Sequence, residues 1–221
     1  MTAARCPRVH PYADGEFMLA YGPPDGPQLL VLQPLFEEMN RCRAMIAGIC
    51  RALAERGIGC WLPDLPGTGE SLRALDDIRW EDWLAAIEAA ATMVRNETST
   101  LPSTFAIRGG ALLDQAAVSR RLRLAPTTGR SLLSDLRRSA LASGSDPARP
   151  AGYTLSPALV DALANAEPSA DGDVRTLRLA SDDRPADRRI DGTPLWRRPE
   201  PATDKGMEVA IVEEIASWIA S

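Results

Sequence analysis

Phe105-Ala106-Ile107-Arg108-Gly109-Gly110-Ala111-Leu112-Leu113 is the stretch on which the fold turns. An apolar run of strand length ends at Ile107, and a second apolar run, read as a helix over residues 109–118, follows at once. Small residues flank one projecting side chain between them. That is the pattern of a tight strand-to-helix turn that lifts its apex residue out of the sheet, and in enzymes built this way the apex is a serine nucleophile. Here the apex is Arg108, whose guanidinium keeps its proton in proteins and cannot attack a carbonyl. The only histidine, His10, lies far upstream instead of near the C-terminus, where the general base of such enzymes sits. The scaffold is that of a serine enzyme; the ordinary machinery is missing.

Strands and helices alternate on both sides of this turn. Glu16–Tyr21 reads as a first strand, closed by Gly22-Pro23-Pro24-Asp25-Gly26-Pro27, and Gln28–Leu32 as a strand buried on both faces. Asn40 is placed to cap the next helix, on which Cys42, Met45, Ile46, Ile49, Cys50 and Leu53 recur at helical spacing before Gly57. Residues 58–62 give a strand that runs into the loop Pro63-Asp64-Leu65-Pro66-Gly67-Thr68-Gly69-Glu70-Ser71. Trp80, Trp83, Leu84, Ile87, Ala91 and Val94 mark a second helix. Beyond the turn come a weaker strand at residues 122–124, a helix at 129–141 and a Pro/Gly/Ser loop at 143–150. A short helix capped by Ser156, a strand at 174–180 and an amphipathic helix through Met207, Ile211, Ile215, Trp218 and Ile219 complete the chain. The alternation calls for an α/β fold, a mostly parallel central sheet with helices on both faces. Residues 16–221 read as one domain behind an N-terminal extension over residues 1–15.

Composition excludes several functions. A net charge of −5 and a pI of about 5.1 argue against a nucleic-acid partner held through phosphates. Four cysteines (Cys6, Cys42, Cys50, Cys60) show no CxxC spacing, so neither a metal site nor a disulfide framework is expected, and no cofactor is implied. Residues 1–15 lack the apolar core of a signal peptide, and no apolar run approaches about 18 residues, so no membrane span is expected. A cytoplasmic protein is the default expectation.

Several segments together carry a resemblance. Pro34-Leu35-Phe36-Glu37-Glu38-Met39-Asn40, Leu62 through the Gly67-Thr68-Gly69-Glu70-Ser71 loop, Arg79-Trp80 with Trp83, and Ile107-Arg108-Gly109-Gly110-Ala111-Leu112 resemble one branch of the α/β-hydrolases. So do Ala151-Gly152-Tyr153-Thr154-Leu155-Ser156-Pro157 and Gly192-Thr193-Pro194-Leu195-Trp196. From residue 16 onward the chain is similar to the exosortase A system-associated hydrolase 2 family, encoded with bacterial exopolysaccharide and protein-sorting systems. The resemblance implies an α/β-hydrolase fold of roughly six to eight strands and a minimal cap, since residues 118–168 leave room for only a small insertion. It also implies that an arginine elbow belongs to the family's pattern. Oxyanion-hole-like positions would be Gly109 and Phe36 (or Leu35). Asp182 and Asp183 fall near the usual triad acid, and Trp196 near the usual histidine.

The chemistry left to such a site is limited. Removing the Ser–His pair of a serine protease costs on the order of 10⁶ in turnover, and binding plus the oxyanion hole retain about 10³–10⁴ over water. A guanidinium at a helix N-terminus is disfavoured by roughly 0.3–1 kcal/mol, so Arg108 calls for a partner: Glu37, Glu38 or an anionic ligand. The plainer reading is an internal Arg–Glu pair filling the old site. The functional one is an anion site for a phosphate or carboxylate, with Asn40 and Asp64 as further ligand-binding candidates. Ser71 reads as a loop residue, His10 as a packing histidine, and Asp182 and Asp183 as solvated turn residues. Arg120, Arg121, Arg123, Arg137 and Arg138 read as solvated faces, and Gly67-Thr68-Gly69 lacks the remainder of a nucleotide loop. Two functions follow. One is a non-catalytic or degenerate hydrolase that binds a small molecule or a protein partner. The alternative is an active hydrolase or acyltransferase in which Glu37 or Glu38 acts as base on a water while Arg108 polarises the substrate. The alternative needs an open cleft holding a carboxylate not locked to Arg108.

Overall fold

Eight strands form one sheet in the computed structural model, which describes residues 6–116, 120–142 and 152–221. They are β1 (Arg8–Ala13), β2 (Glu16–Tyr21), β3 (Gln28–Leu32), β4 (Gly59–Pro63), β5 (Ser103–Ile107), β6 (Arg120–Leu124), β7 (Asp173–Leu179) and β8 (Arg188–Ile190). Their spatial order is β1-β2-β4-β3-β5-β6-β7-β8. β1 pairs antiparallel with β2, and β2 antiparallel with β4; every pairing from β4 to β8 is parallel. The direction of winding reverses between β3 and β5, and in open α/β sheets ligands bind beyond the carboxyl ends of the strands at such a switch point. Arg108 follows the carboxyl end of β5.

The sheet begins ahead of the boundary expected at Glu16. Arg8–Ala13, assigned from sequence to an N-terminal extension, is the edge strand, in register with β2 through Val9↔Leu19 and His10↔Met18. Pro11 and the alternation of Arg8 and His10 with single apolar residues hid it. Pro is tolerated there because an edge strand needs no amide on its outer side.

Each strand sends alternate side chains to opposite cores. Leu29 and Val31 join the side covered by α1 (Glu37–Glu55) and α5 (Lys205–Ala220). Leu30 and Leu32 join the side covered by α2 (Trp80–Thr98), α3 (Gly129–Ala142) and α4 (Pro157–Asn165). Gln28, buried on β3, accepts the Trp61 indole N–H at 2.7 Å and donates to the Gly26 carbonyl at 2.7 Å. It thereby fixes the Pro-Gly turn before β3 and satisfies a buried amide. α3 and α4 pack so closely that a Cβ on Gly129 would lie 1.9 Å from the Leu163 carbonyl oxygen. Between β6 and β7 the described chain therefore holds two helices of the covering layer and no separate cap. The loop expected over residues 143–150 lies outside the described residues. Among the described residues no helix is long and apolar enough to cross a membrane.

β6 corrects one expectation. Arg121 and Arg123, read as part of a solvated face, are 6% and 4% exposed. Leu122 and Leu124 point into the α1/α5 core, so the arginines between them turn to the opposite face. There the fully buried Asp114 accepts from Arg123 Nε at 2.6 Å and Nη2 at 2.8 Å, with Arg121 Nη1 at 3.5 Å. Their counter-charge comes from the segment just after the elbow, which strand periodicity alone does not reveal.

α5 starts at an aspartate cap. Asp204 Oδ1 accepts the Met207 amide at 3.1 Å and Oδ2 the Thr193 amide at 2.9 Å. The Met207 amide, foremost among several donors, holds the carboxyl below the usual aspartate range. Asp204→Ala is expected to cost about 1 kcal/mol in urea unfolding. A depressed carboxyl contributes stability above its unfolded-state value and loses it as pH falls through its folded one. The difference between wild type and Asp204→Ala should therefore shrink in acid.

Candidate functional site

The turn at Arg108 keeps the strained backbone of an elbow. Arg108 has φ 54, left-handed for a residue with a side chain, at a cost of about 1–2 kcal/mol. The continuous helix expected over residues 109–118 is absent. Two short 3₁₀ turns, Arg108–Leu112 and Asp114–Ala116, take its place, and residues 117–119 lie outside the described residues. The Gly109-Gly110 pair explains the difference. Glycine is a poor helix former, and Gly110 nests so tightly on the end of β3 that a Cβ would fall 2.5 Å from the Leu32 carbonyl oxygen. The helix-dipole argument for Arg108 therefore lapses. Phe36 after β3 (φ 58) and Ala125 after β6 (φ 47) are left-handed as well. Of the four described non-glycine residues with positive φ, three thus surround one point at the carboxyl ends of neighbouring strands. Strain of this kind collects at ligand sites.

Arg108 finds its partner in Glu38. Its Nε lies 3.1 Å from Oε2 and its Nη2 2.9 Å from Oε1, a two-pronged pair that is buried on both sides. Nη1 donates to the Ala125 carbonyl at 3.4 Å, and Nη2 also reaches Asp135 Oδ2 at 3.5 Å. The indole of Trp196 covers the guanidinium with its ring centre 5.3 Å from Cζ, a cation–π contact. Arg41 Nη1 in turn holds the Trp196 carbonyl at 3.0 Å. Burial pushes the Glu38 carboxyl above the usual glutamate range, and the Arg108 charge pulls it back.

The other expected residues divide into two groups. Glu37 is half-buried, accepts the Tyr153 hydroxyl at 3.1 Å and lines an open cavity of about 370 Å³ with Glu38, Arg41, Asp135, Trp196 and Arg197. Burial and the neighbouring Glu37 carboxylate both push the Tyr153 hydroxyl up, so it stays a donor at neutral pH. A second cavity of about 310 Å³ shares Asp135, Arg138, Trp196 and Arg197, and adds Arg108, Thr127, Ser131 and Asp182. Asn40 and Asp64, by contrast, line a separate groove along the outer side of α1 and do not meet Arg108. Asn40 is not the helix cap either: α1 begins at Glu37, with Phe36 in the cap position.

The oxyanion-hole-like positions are crowded. Leu35 and Leu132 close over Gly109, where an added Cβ would meet their side chains at 3.1 and 3.2 Å. Phe36 packs its buried ring edge-on against Tyr153 at 5.5 Å. The cavity beside Phe36 and Gly110 holds only about 20 Å³, room for one water-sized group.

Asp182, expected as a solvated turn residue, is half-buried and salt-bridged instead. It accepts from Arg184 Nη2 at 2.7 Å and from Arg178 Nη1 at 3.1 Å, contacts that hold its carboxyl far below the usual range. Ser71 donates to Glu16 Oε1 at 2.8 Å and accepts the Gly67 amide, which makes it a loop-fixing residue. His10 packs edge-on against Trp61 at 5.2 Å on β1. Four strand spacings separate β1 from β5, roughly 19 Å, so His10 cannot serve the Arg108 site. Asp135 and Arg197 were not singled out by sequence reasoning. Asp135 carries a weak signal, a lone acid on α3 between Leu132 and Leu136; Arg197 carries none.

No protein-family model and no curated protein matches the chain. Solved structures do. Est1E from Butyrivibrio proteoclasticus superposes with a TM-score of 0.62 at 14% identity, over 98% of this chain and 100% of its own. A putative hydrolase from Agrobacterium vitis S4 gives 0.57 at 17% identity, covering 97% and 99% of the two chains. The bottromycin epimerase BotH, solved in complex with bottromycin A2, gives 0.55 at 15% identity over 97% and 99%. Likeness at these identities shows the fold alone. The chain has the α/β-hydrolase fold.

Proposed function

We propose that this chain is a non-catalytic α/β-hydrolase-fold protein that binds a small molecule bearing a carboxylate or phosphate in the paired cavities beside Arg108. One observation carries the reading. The elbow apex is Arg108, paired with Glu38 and covered by Trp196, the residue that the sequence resemblance puts near the usual histidine. Neither Arg108 nor Trp196 can perform acyl transfer. The cleft itself is kept open: the two cavities meet at Arg138 and Arg197, and Arg197 forms no side-chain ion pair or hydrogen bond among the described residues. A guanidinium without such a partner among the described residues, at the junction of two cavities, suits an anionic group. BotH, named an epimerase, supports the wider point that this fold serves proteins other than hydrolases. The exosortase- and exopolysaccharide-associated setting belongs to the same proposal and rests on the sequence resemblance.

A second reading keeps one specific observation in its favour. Glu37 faces the 370 Å³ cavity and is not paired with Arg108, so it is the carboxylate left to act as a base on water. Glu38, with both oxygens on the guanidinium, is not.

Thermal-shift titration with a panel of small carboxylates and phosphate monoesters tests the first reading. A ligand at about 100 times its Kd adds about 2.7 kcal/mol, or roughly 5–10 °C in a chain of this size. Arg197→Ala should abolish that shift while leaving the unliganded Tm within about 2 °C, because the residue is exposed. A panel without effect, or a shift that Arg197→Ala leaves intact, counts against this site.

A further inference from the structure

β1 and β2 are fully covered on one face; on the other, α1 buries Tyr21 and leaves the rest open. Toward α2, Tyr12, Met18 and Ala20 are buried. Toward α1, Val9, Phe17 and Leu19 stand 64%, 44% and 36% exposed. Together with Tyr21 and Leu62 they floor an open, mainly apolar groove of about 870 Å³. Single exposed apolar residues need no explanation, but a contiguous set on one sheet face marks an interaction surface. The wall of the groove is α1, which presents Asn40, Arg43, Ala44, Ala47 and Arg51. At 1.5 Å per residue that wall runs roughly 16 Å.

The two ends differ in sign. Asp64 and Glu70 stand at one end, net negative although Arg43 is close enough to act on Asp64; there the Asp64 amide donates to the Phe17 carbonyl at 3.1 Å and the Glu70 amide to Asp64 Oδ2 at 3.1 Å. Arg51 stands at the other end, close enough to Tyr21 to act on its hydroxyl. Among the described residues neither the Arg51 nor the Glu70 side chain forms an ion pair or hydrogen bond. Small Ala44 and Ala47 lie between the ends.

We infer that this groove is the two-fold interface of a homodimer. A two-fold contact sets the same patch against itself, so the patch must be self-complementary. An axis that lies in the interface and crosses the groove near Ala44 and Ala47 brings the Arg51 end of one copy onto the Glu70 end of its partner. It does so twice. The same axis stacks the Val9–Phe17–Leu19 surfaces and lets the two α1 helices approach at alanines. An axis along the groove would set like charges together and is disfavoured. Extension of the sheet through β1 is blunted by Pro11, which offers no amide, so the exposed face is used and not the edge.

Sedimentation velocity on the full chain over a micromolar concentration series provides the test. The wild type should associate to a dimer. Arg51→Glu and Glu70→Arg should each weaken association about tenfold or more, and the Arg51→Glu/Glu70→Arg double variant should recover most of it. Phe17→Ser should abolish the dimer. All three positions are exposed, and circular dichroism checks their fold; should Phe17→Ser unfold, the charge exchange still decides. A wild type that stays monomeric overturns the inference, including one whose face takes up lipid vesicles or another protein instead. So does a dimer indifferent to both charge reversals.

Discussion

Arg108→Met is expected to destabilise the folded chain by about 3–5 kcal/mol, because it strands the Glu38 carboxylate in a buried site. Glu38→Leu should cost a similar amount by stranding the guanidinium. The double variant Arg108→Met/Glu38→Leu should lose far less than the sum, since apolar residues of similar volume often replace a buried ion pair at little cost. In a chain of this size each kcal/mol moves Tm by about 2–4 °C, so the single variants should melt roughly 6–20 °C early. Strict additivity in the double-mutant cycle would mean that the two side chains act independently.

The same variant has a pH signature. Burial raises the Glu38 carboxyl and Arg108 restrains that rise, so without Arg108 its folded pKa climbs further. Between the unfolded and folded values the native variant binds more protons than the unfolded chain. Its stability therefore falls as pH rises through that window. The deficit relative to wild type should be smaller at roughly pH 5 than at roughly pH 8. A deficit that grows in acid would contradict the assignment of Glu38 as the stranded group.

Asp114→Asn is the second large effect. The substitution keeps the shape of the side chain and removes the only charge of a residue that is 0% exposed and serves two buried arginines. Loss of about 3–5 kcal/mol is expected, read by urea unfolding with an unchanged m-value. Because Asp114 follows directly on the elbow, its loss should also loosen the turn that carries Arg108. Faster amide exchange at Gly109 and Gly110 than at β3 would report this. A change under about 1 kcal/mol would mean that the arginines find other acceptors.

Much of this fold was legible because buried runs announce themselves. Gln28–Leu32, residues 58–62 and Phe105 to Ile107 are continuous apolar strands between helices with clean periodicity, and that pattern implies a parallel sheet. β1 was not legible, since Pro11 and its polar neighbours leave too little pattern. The elbow was legible from its small residues, yet not the replacement of its helix by 3₁₀ turns, which follows from packing against β3.

At the site, the pairing of Arg108 with an acid of the Phe36-Glu37-Glu38 segment is legible; the choice between Glu37 and Glu38 is not. Helical geometry decides it. Glu38 lies one turn ahead of Cys42 and heads the buried stripe of α1, whereas Glu37 is turned by about 100° and Asn40 by about 200° from Glu38. Asn40 therefore faces the outer groove and not Arg108. Trp196 as the cover of Arg108, and Asp135 beside it, depend on contacts between distant segments that periodicity cannot report.

A turnover screen puts the central claim to its most direct test. Purified wild type, Glu37→Gln and Arg108→Met would be assayed against p-nitrophenyl esters, acyl thioesters and phosphoesters, with folding checked by circular dichroism. None of the folded proteins should show turnover above the uncatalysed rate. Hydrolysis by wild type that is lost in Glu37→Gln would contradict the claim and establish a carboxylate-based active site in the elbow cleft.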